Sequence, residues 1–247
     1  MSSKYTHNSK ILNLYDKNNK VATQLLYGET FSIINKKVSR YHIKTTYDNY
    51  SGFIKIKKIL KCRNNPTHQI VSKKAFRYKK KNKKIFKNGY LYFGSKIEVK
   101  KIDKKFSHTD KFLIKNKDIL CLKKKVNKPL SFLKFFRGTK YLWGGISING
   151  VDCSGMVQSI YKLNGQFFPR DTKDQIKFIK NKISIDKVRM GDLFFWKGHV
   201  GLALNKKFLI HAYGPKKKVI VSKINVIINK LRKKRLSLLA IKRYKLK

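Results

Sequence analysis

Tyr141-Leu142-Trp143-Gly144-Gly145 leads, past a turn at Asn149 and Gly150, into Val151-Asp152-Cys153-Ser154-Gly155-Met156-Val157-Gln158. Met156, Val157, Ile160, Tyr161 and Leu163 form an apolar stripe at helical spacing, and Gly165 ends it. Cys153 therefore falls on the first helical turn. Unpaired backbone N–H groups and the helix dipole favour an anion there, which predicts a lowered thiol pKa and leaves amide donors for a developing oxyanion. A purely structural cysteine would occupy the same place, so position alone does not assign catalysis.

Two histidines lie downstream, His199 in Gly198-His199-Val200-Gly201 and His211 in Leu209-Ile210-His211-Ala212. Both sit in short apolar segments that read as strands. Their spacing of 12 residues suits neighbouring antiparallel strands joined by a turn at Asn205 and Lys206, which sets the two rings side by side. A thiol at a helix start, a histidine as base (His199) and a second polar group steadying its ring (His211) make up a cysteine-nucleophile triad. Core histidines and a metal pair are the competing readings. The metal reading lacks carboxylates, because Asp192, the one acid nearby, belongs to a Gly-Asp turn.

These residues resemble the NlpC-type cysteine peptidases, papain-like enzymes that cut the peptide stems of bacterial peptidoglycan. The resemblance runs from about Leu130 to the C-terminus through YLWGG, DCSG, PRDT, GDLFF, GHVG and HA, in family order. It implies an α+β papain-like catalytic domain, with Cys153 as nucleophile, His199 as general base and His211 as third polar residue. No metal or organic cofactor is implied.

Upstream, the chain resembles the γ-D-glutamyl-L-diamino-acid endopeptidases, in which two SH3-like β-barrels precede the catalytic domain. These enzymes release L-Ala-γ-D-Glu from murein stem peptides that have a free amino terminus. The likeness implies that Tyr141, Asp152, Ser154 and Thr172, with Glu29 and Tyr50 from the first barrel, hold that terminus. A buried ammonium needs a carboxylate partner, which gives the two acids a physical role. Asp152 also fits a helix N-cap and Glu29 a solvated turn acid. Asp171 reads as a first-turn acid with Arg170 as its structural partner, and Trp143 and Trp196 read as core.

The first half alternates in the manner of strands. Val21 to Ile34 breaks at Gly28; Tyr41, Ile43, Thr45 and Tyr47 alternate with polar neighbours; and Asp48-Asn49 turns the chain into Tyr50-Ser51-Gly52-Phe53-Ile54. Leu91, Tyr92 and Gly94 echo Leu26, Tyr27 and Gly28, with the glycines 66 residues apart. Two small barrels, 1–62 and 63–126, followed by a catalytic domain over 127–247, are the expected organisation. The lysine run from Lys79 to Lys84 reads as a solvated hairpin tip. Asn229 to Lys247 reads either as a closing strand of the catalytic sheet or as a surface segment.

The chain has 247 residues, with 61 Lys plus Arg against 12 Asp plus Glu, for a formal charge of +49. At 41% hydrophobic residues it is expected to fold despite that charge. Lysine spread among abundant Ile, Asn, Phe and Tyr fits A/T-rich coding as well as it fits an anionic partner. Murein stem peptides are the expected partner, and no nucleic acid is expected. The N-terminus shows no secretory signal pattern, and lysines interrupt every apolar run before it could span a bilayer. Three widely spaced cysteines suit a reducing compartment, so a cytoplasmic location is expected. An exported hydrolase acting on intact wall is the alternative.

Overall fold

The computed structural model describes residues 3–37, 40–56, 58–62 and 65–246. It comprises two compact units, Met1–Lys125 and Val126–Lys247.

The N-terminal unit is built from strands. Its first sheet holds seven, in the order Val21–Leu26, Ile11–Tyr15, Ser51–Ile54, Arg40–Thr45, Phe31–Lys37, Tyr5–Thr6 and Leu60–Lys61. Alternation along these strands turns Leu12, Leu14, Leu25, Phe31, Ile43 and Ile54 inward to form one core. Further along, a five-stranded sheet (residues 74–115) and a three-stranded sheet (residues 68–121) enclose a second core of Ile70, Ala75, Leu91, Ile97, Phe112 and Ile114. The strand orders are open, so the expected pair of closed barrels narrows to two small all-β bodies.

The repeat is clearest at its glycines. Gly28 and Gly94 both have left-handed φ values, 77° and 84°. The amide of the following residue turns back in each case, Glu29 to the Leu26 carbonyl and Ser95 to the Tyr92 carbonyl, both at 3.0 Å. Tyr92, rather than Leu91, thus matches Leu26. At Gly28 a Cβ would lie 1.8 Å from the Lys96 carbonyl oxygen, so close backbone approach as well as φ requires glycine there. The lysine run lies at a hairpin: Lys74–Lys81 pairs with Lys84–Tyr92 across Asn82 and Lys83, both at positive φ, as a tight hairpin turn demands.

The C-terminal unit is α+β. Its sheet is antiparallel throughout, in the order Lys218–Lys223, Phe208–Tyr213, His199–Ala203, Leu193–Trp196 and Leu238–Lys242. The last strand resolves the two readings of the C-terminal stretch, since it pairs with Leu193–Trp196 and extends the sheet. One core joins Phe194, Trp196, Ala203, Leu209 and Tyr213 of the sheet to Ile224, Ile227 and Leu231, the apolar stripe of the Ile224–Lys233 helix. The Cys153–Leu163 helix is buried along nearly its whole length, with Met156, Val157 and Ile160 fully enclosed. Its start is held tightly: a Cβ on Gly155 would lie 2.3 Å from the Gly145 carbonyl oxygen. Among the described residues, no helix is long and apolar enough to cross a membrane.

Candidate active site

Asp152 caps the Cys153–Leu163 helix from extended backbone, and its Oδ1 accepts the Gly155 N–H at 2.7 Å. The N-cap reading of the sequence is thus realised, but capping is one of several tasks. Oδ1 also accepts from the Ser154 hydroxyl (3.3 Å) and Arg170 Nη1 (3.0 Å), while Oδ2 accepts from the Gly144 N–H (2.9 Å) and Arg170 Nη2 (2.6 Å). Arg170 Nη1 reaches Ser154 Oγ as well, at 2.9 Å. The guanidinium, only 3% exposed, therefore serves Asp152, a partner that the sequence reading did not give it. A planar fork matches a carboxylate edge-on, which explains the choice of arginine.

Cys153 is buried, and its Sγ lies 3.9 Å from Thr172 Oγ1 at the start of the Thr172–Phe178 helix. Burial pushes the thiol pKa up to about 11, with the Asp152 carboxylate adding to the rise. The N–H groups of Val200 and Ser154 and the Thr172 hydroxyl pull the other way without prevailing. The lowered thiol expected from the helix start is thus reversed, because withdrawing a thiolate from water outweighs the dipole. The helix that starts at Cys153 packs on the strand that opens with His199.

His199 opens the His199–Ala203 strand, and His211 lies on the neighbouring Phe208–Tyr213 strand. The pairing Leu202↔Ile210 and Ala203↔Leu209 fixes these strands antiparallel. The rings stand 5.1 Å apart at 62°, with His199 Nε2 and His211 Nδ1 hydrogen-bonded at 2.8 Å. His211 is fully buried, and its Nε2 lies 3.0 Å from Ser222 Oγ. Burial lowers the His199 pKa to about 4; burial, then the neighbouring His199 charge, lowers that of His211 to about 3. The resting pair is consequently a neutral thiol and a neutral imidazole.

Tyr141 is half-buried, and its backbone N–H donates to the Lys217 carbonyl at 2.8 Å. Burial, followed by the charges of Cys153 and Asp152, raises its phenol to about 12, so it is a hydrogen-bond donor at neutral pH. Tyr141, Asp152, Cys153, Ser154 and Thr172 thus form one neighbourhood with Arg170. Gln175, which the sequence did not single out, is fully buried there and donates to the carbonyls of Ser154 (3.0 Å) and Pro169 (2.9 Å). Trp196 is core as expected, whereas Trp143 is 68% exposed. It lies in the turn before Gly144, whose positive φ reverses the chain and leaves the indole outside.

Glu29 and Tyr50 belong to the N-terminal unit. Glu29 is buried, not solvated: its Oε2 accepts the Leu26 N–H at 2.9 Å, and its charge acts on buried His7. Tyr50 packs partly against the first sheet's core, and its N–H donates to Thr45 Oγ1 at 2.9 Å.

Acid should destabilise the C-terminal unit through His211. The unfolded chain takes a proton near the ordinary 6.5, but the folded ring takes one only near 3, so protons favour unfolding throughout that window. Stability present above pH 6.5 is lost as pH falls, by about 2 kcal/mol between pH 7 and 5 from this one group. Urea unfolding followed by Trp fluorescence at the two pH values measures the change, and equal midpoints and slopes would contradict it.

A thiol at the start of a helix that packs on strands bearing a hydrogen-bonded histidine pair is an arrangement suited to a cysteine hydrolase. Residues 138–236 match the model of the NlpC/P60 family, so the C-terminal unit carries an NlpC/P60 domain. Two curated relatives match this region. The γ-D-glutamyl-L-lysine dipeptidyl-peptidase of Bacillus subtilis is 45% identical over 86 residues, covering 32% of this chain and 29% of the relative. Dipeptidyl-peptidase 6 of Lysinibacillus sphaericus is 43% identical over 87 residues, covering 35% and 31% respectively. The match thus spans under a third of either relative's length. An NlpC/P60 family protein from Bacillus cereus shares the fold at a TM-score of 0.83 and 18% identity, with 99% of this chain and 100% of that one aligned.

Proposed function

We propose that this chain is a cysteine endopeptidase that hydrolyses the γ-D-glutamyl to L-diamino-acid bond of murein stem peptides bearing a free N-terminal L-Ala. The observation that carries this reading is the His199–His211 hydrogen bond on the strands packed beside the Cys153 helix start. His199 Nε2 is engaged by His211, which leaves Nδ1 to take the thiol proton. Sulfur then bonds to the substrate carbonyl carbon, and the oxyanion meets the Tyr141 hydroxyl and helix-start N–H groups. The C–N bond breaks as His199 returns the proton to the departing amine. Water attacks the thioester, giving its proton to His199 and then to sulfur, and L-Ala-γ-D-Glu departs.

In this proposal the substrate ammonium is met by Asp152 and by the hydroxyls of Tyr141, Ser154 and Thr172. Asp152, already balanced by Arg170, contributes acceptor geometry more than net charge. The two all-β bodies, over 1–62 and 63–126, are SH3-like modules preceding a papain-like domain over 127–247. Free murein peptides recycled in the cytoplasm are the substrate pool.

The test is digestion of L-Ala-γ-D-Glu-L-Lys and its diaminopimelate counterpart, each with free and acetylated amino termini, read by mass spectrometry. The free peptides should release the dipeptide, and acetylation should slow release about 100-fold, because it leaves polar groups of the pocket unpaired. Absence of dipeptide from every peptide sinks the reading.

A further inference from the structure

Ser222 is the third link in a hydrogen-bond series that starts at His199. It lies on the Lys218–Lys223 strand, directly opposite Leu209 in the antiparallel register. Leu209 and His211, two residues apart on one strand, share a sheet face, so Ser222 lies diagonally across from His211 on that face. Its Oγ sits 3.0 Å from His211 Nε2, while His211 Nδ1 meets His199 Nε2 at 2.8 Å.

Each contact in this series holds one proton, and the protons can be ordered in two ways. In the first, His199 Nε2–H donates to His211 Nδ1, and His211 Nε2–H donates to Ser222 Oγ. In the second, the serine hydroxyl donates to His211 Nε2, His211 Nδ1–H donates to His199 Nε2, and the proton of His199 sits on Nδ1. The second order blocks the only nitrogen of His199 left to accept a proton from Cys153. The first leaves it open.

The same choice is forced once the proton has moved. With His199 doubly protonated, its Nε2–H needs an acceptor, so His211 must keep Nδ1 bare and carry its proton on Nε2. That N–H is enclosed, because His211 is fully buried, and Ser222 Oγ is the acceptor the structure supplies. A buried donor without a partner is costly.

We propose that Ser222 is a positioning residue: by accepting from His211 Nε2–H it fixes the histidine tautomer that keeps His199 Nδ1 basic. The proposal rests on the peptidase reading above and deepens it. Throughout the step the only proton transferred is that of the Cys153 thiol, which goes to His199 Nδ1. The other two stay on their nitrogens and strengthen as donors while His199 is charged.

The test pairs ring-nitrogen NMR of the 15N-labelled full chain with kinetics on L-Ala-γ-D-Glu-L-Lys. In the native protein His211 should show a protonated Nε2 and a bare Nδ1 at pH 7. Ser222→Ala should populate the opposite tautomer and lower kcat about tenfold with KM little changed, the effect of losing one hydrogen bond made in the charged state. Ser222→Thr, which keeps the hydroxyl on a strand-favouring residue, should restore both readouts. A native His211 protonated on Nδ1 overturns the proposal whether or not either variant folds. So does a Ser222→Ala protein with native tautomer and native kcat. If the native protein cleaves no peptide, the peptidase reading fails while the NMR arm still decides the hydrogen-bond order.

Discussion

Cys153→Ala is expected to abolish peptide release, lowering kcat/KM at least about 10⁴-fold, while the fold stays intact. In the proposed reaction the thiol is the group that forms the covalent bond, and no neighbouring side chain substitutes for it chemically: Thr172 and Ser154 present hydroxyls, and the Ser154 hydroxyl is already tied to Asp152 and Arg170. Because the resting pair is neutral, the proposed mechanism makes the sulfur nucleophilic only as His199 takes its proton, and histidine and thiol act in it as one unit. His199→Ala should consequently cost a comparable factor, and the double variant little more than either single one. The alanine variant loses one sulfur atom at a first-turn position where alanine is a good helix former, and Asp152 still caps the helix. Steady-state rates on the free tripeptide, with circular dichroism to monitor the fold, test this. A loss smaller than about tenfold removes Cys153 from the nucleophile's role.

The parts of the site legible in sequence were those set by local period. Helical spacing from Met156 to Leu163 placed Cys153 at a helix start, and the apolar segments around His199 and His211 placed both rings on adjacent strands. What the sequence left hidden depends on burial and on long-range pairing. The sign of the thiol's shift follows from how deeply the helix start is enclosed, a property of the packed sheet and not of the DCSG stretch. Arg170 sits next to Asp171 in the chain, and local reading pairs them. Folding also delivers the guanidinium to a carboxylate 18 residues back, which no periodicity encodes. Trp143 looks like core by residue type, yet the backbone reversal at Gly144 turns it outward. In the N-terminal half, alternation located the strands and the paired glycines, but the order in which strands join is set by pairing between distant segments. Hence the open sheet orders could not be read from the pattern alone.

Arg170→Met is expected to destabilise the C-terminal unit by about 3–5 kcal/mol, enough to lower its melting temperature on the order of 15 °C. The loss comes less from the ion pair itself than from what is left behind. Methionine fills much of the space but donates nothing, so Asp152 is left enclosed with its Nη1 and Nη2 partners gone. In the native protein the carboxylate receives five donors, among them the Gly144 amide of the turn and the Gly155 amide of the helix. Disturbing Asp152 therefore loosens both chain segments that frame Cys153. Arg170→Lys should recover only part of the stability, since one ammonium cannot reach both carboxylate oxygens and Ser154 in the plane of a fork. Removing the stranded charge should help more: Arg170→Met combined with Asp152→Asn is expected to be more stable than Arg170→Met alone, because a neutral amide can still cap the helix. Thermal and urea unfolding of the four proteins form a double-mutant cycle that isolates the coupling. If Arg170→Met unfolds at the native midpoint, or if Asp152→Asn worsens it further, the guanidinium is not what sustains the buried carboxylate beside Cys153.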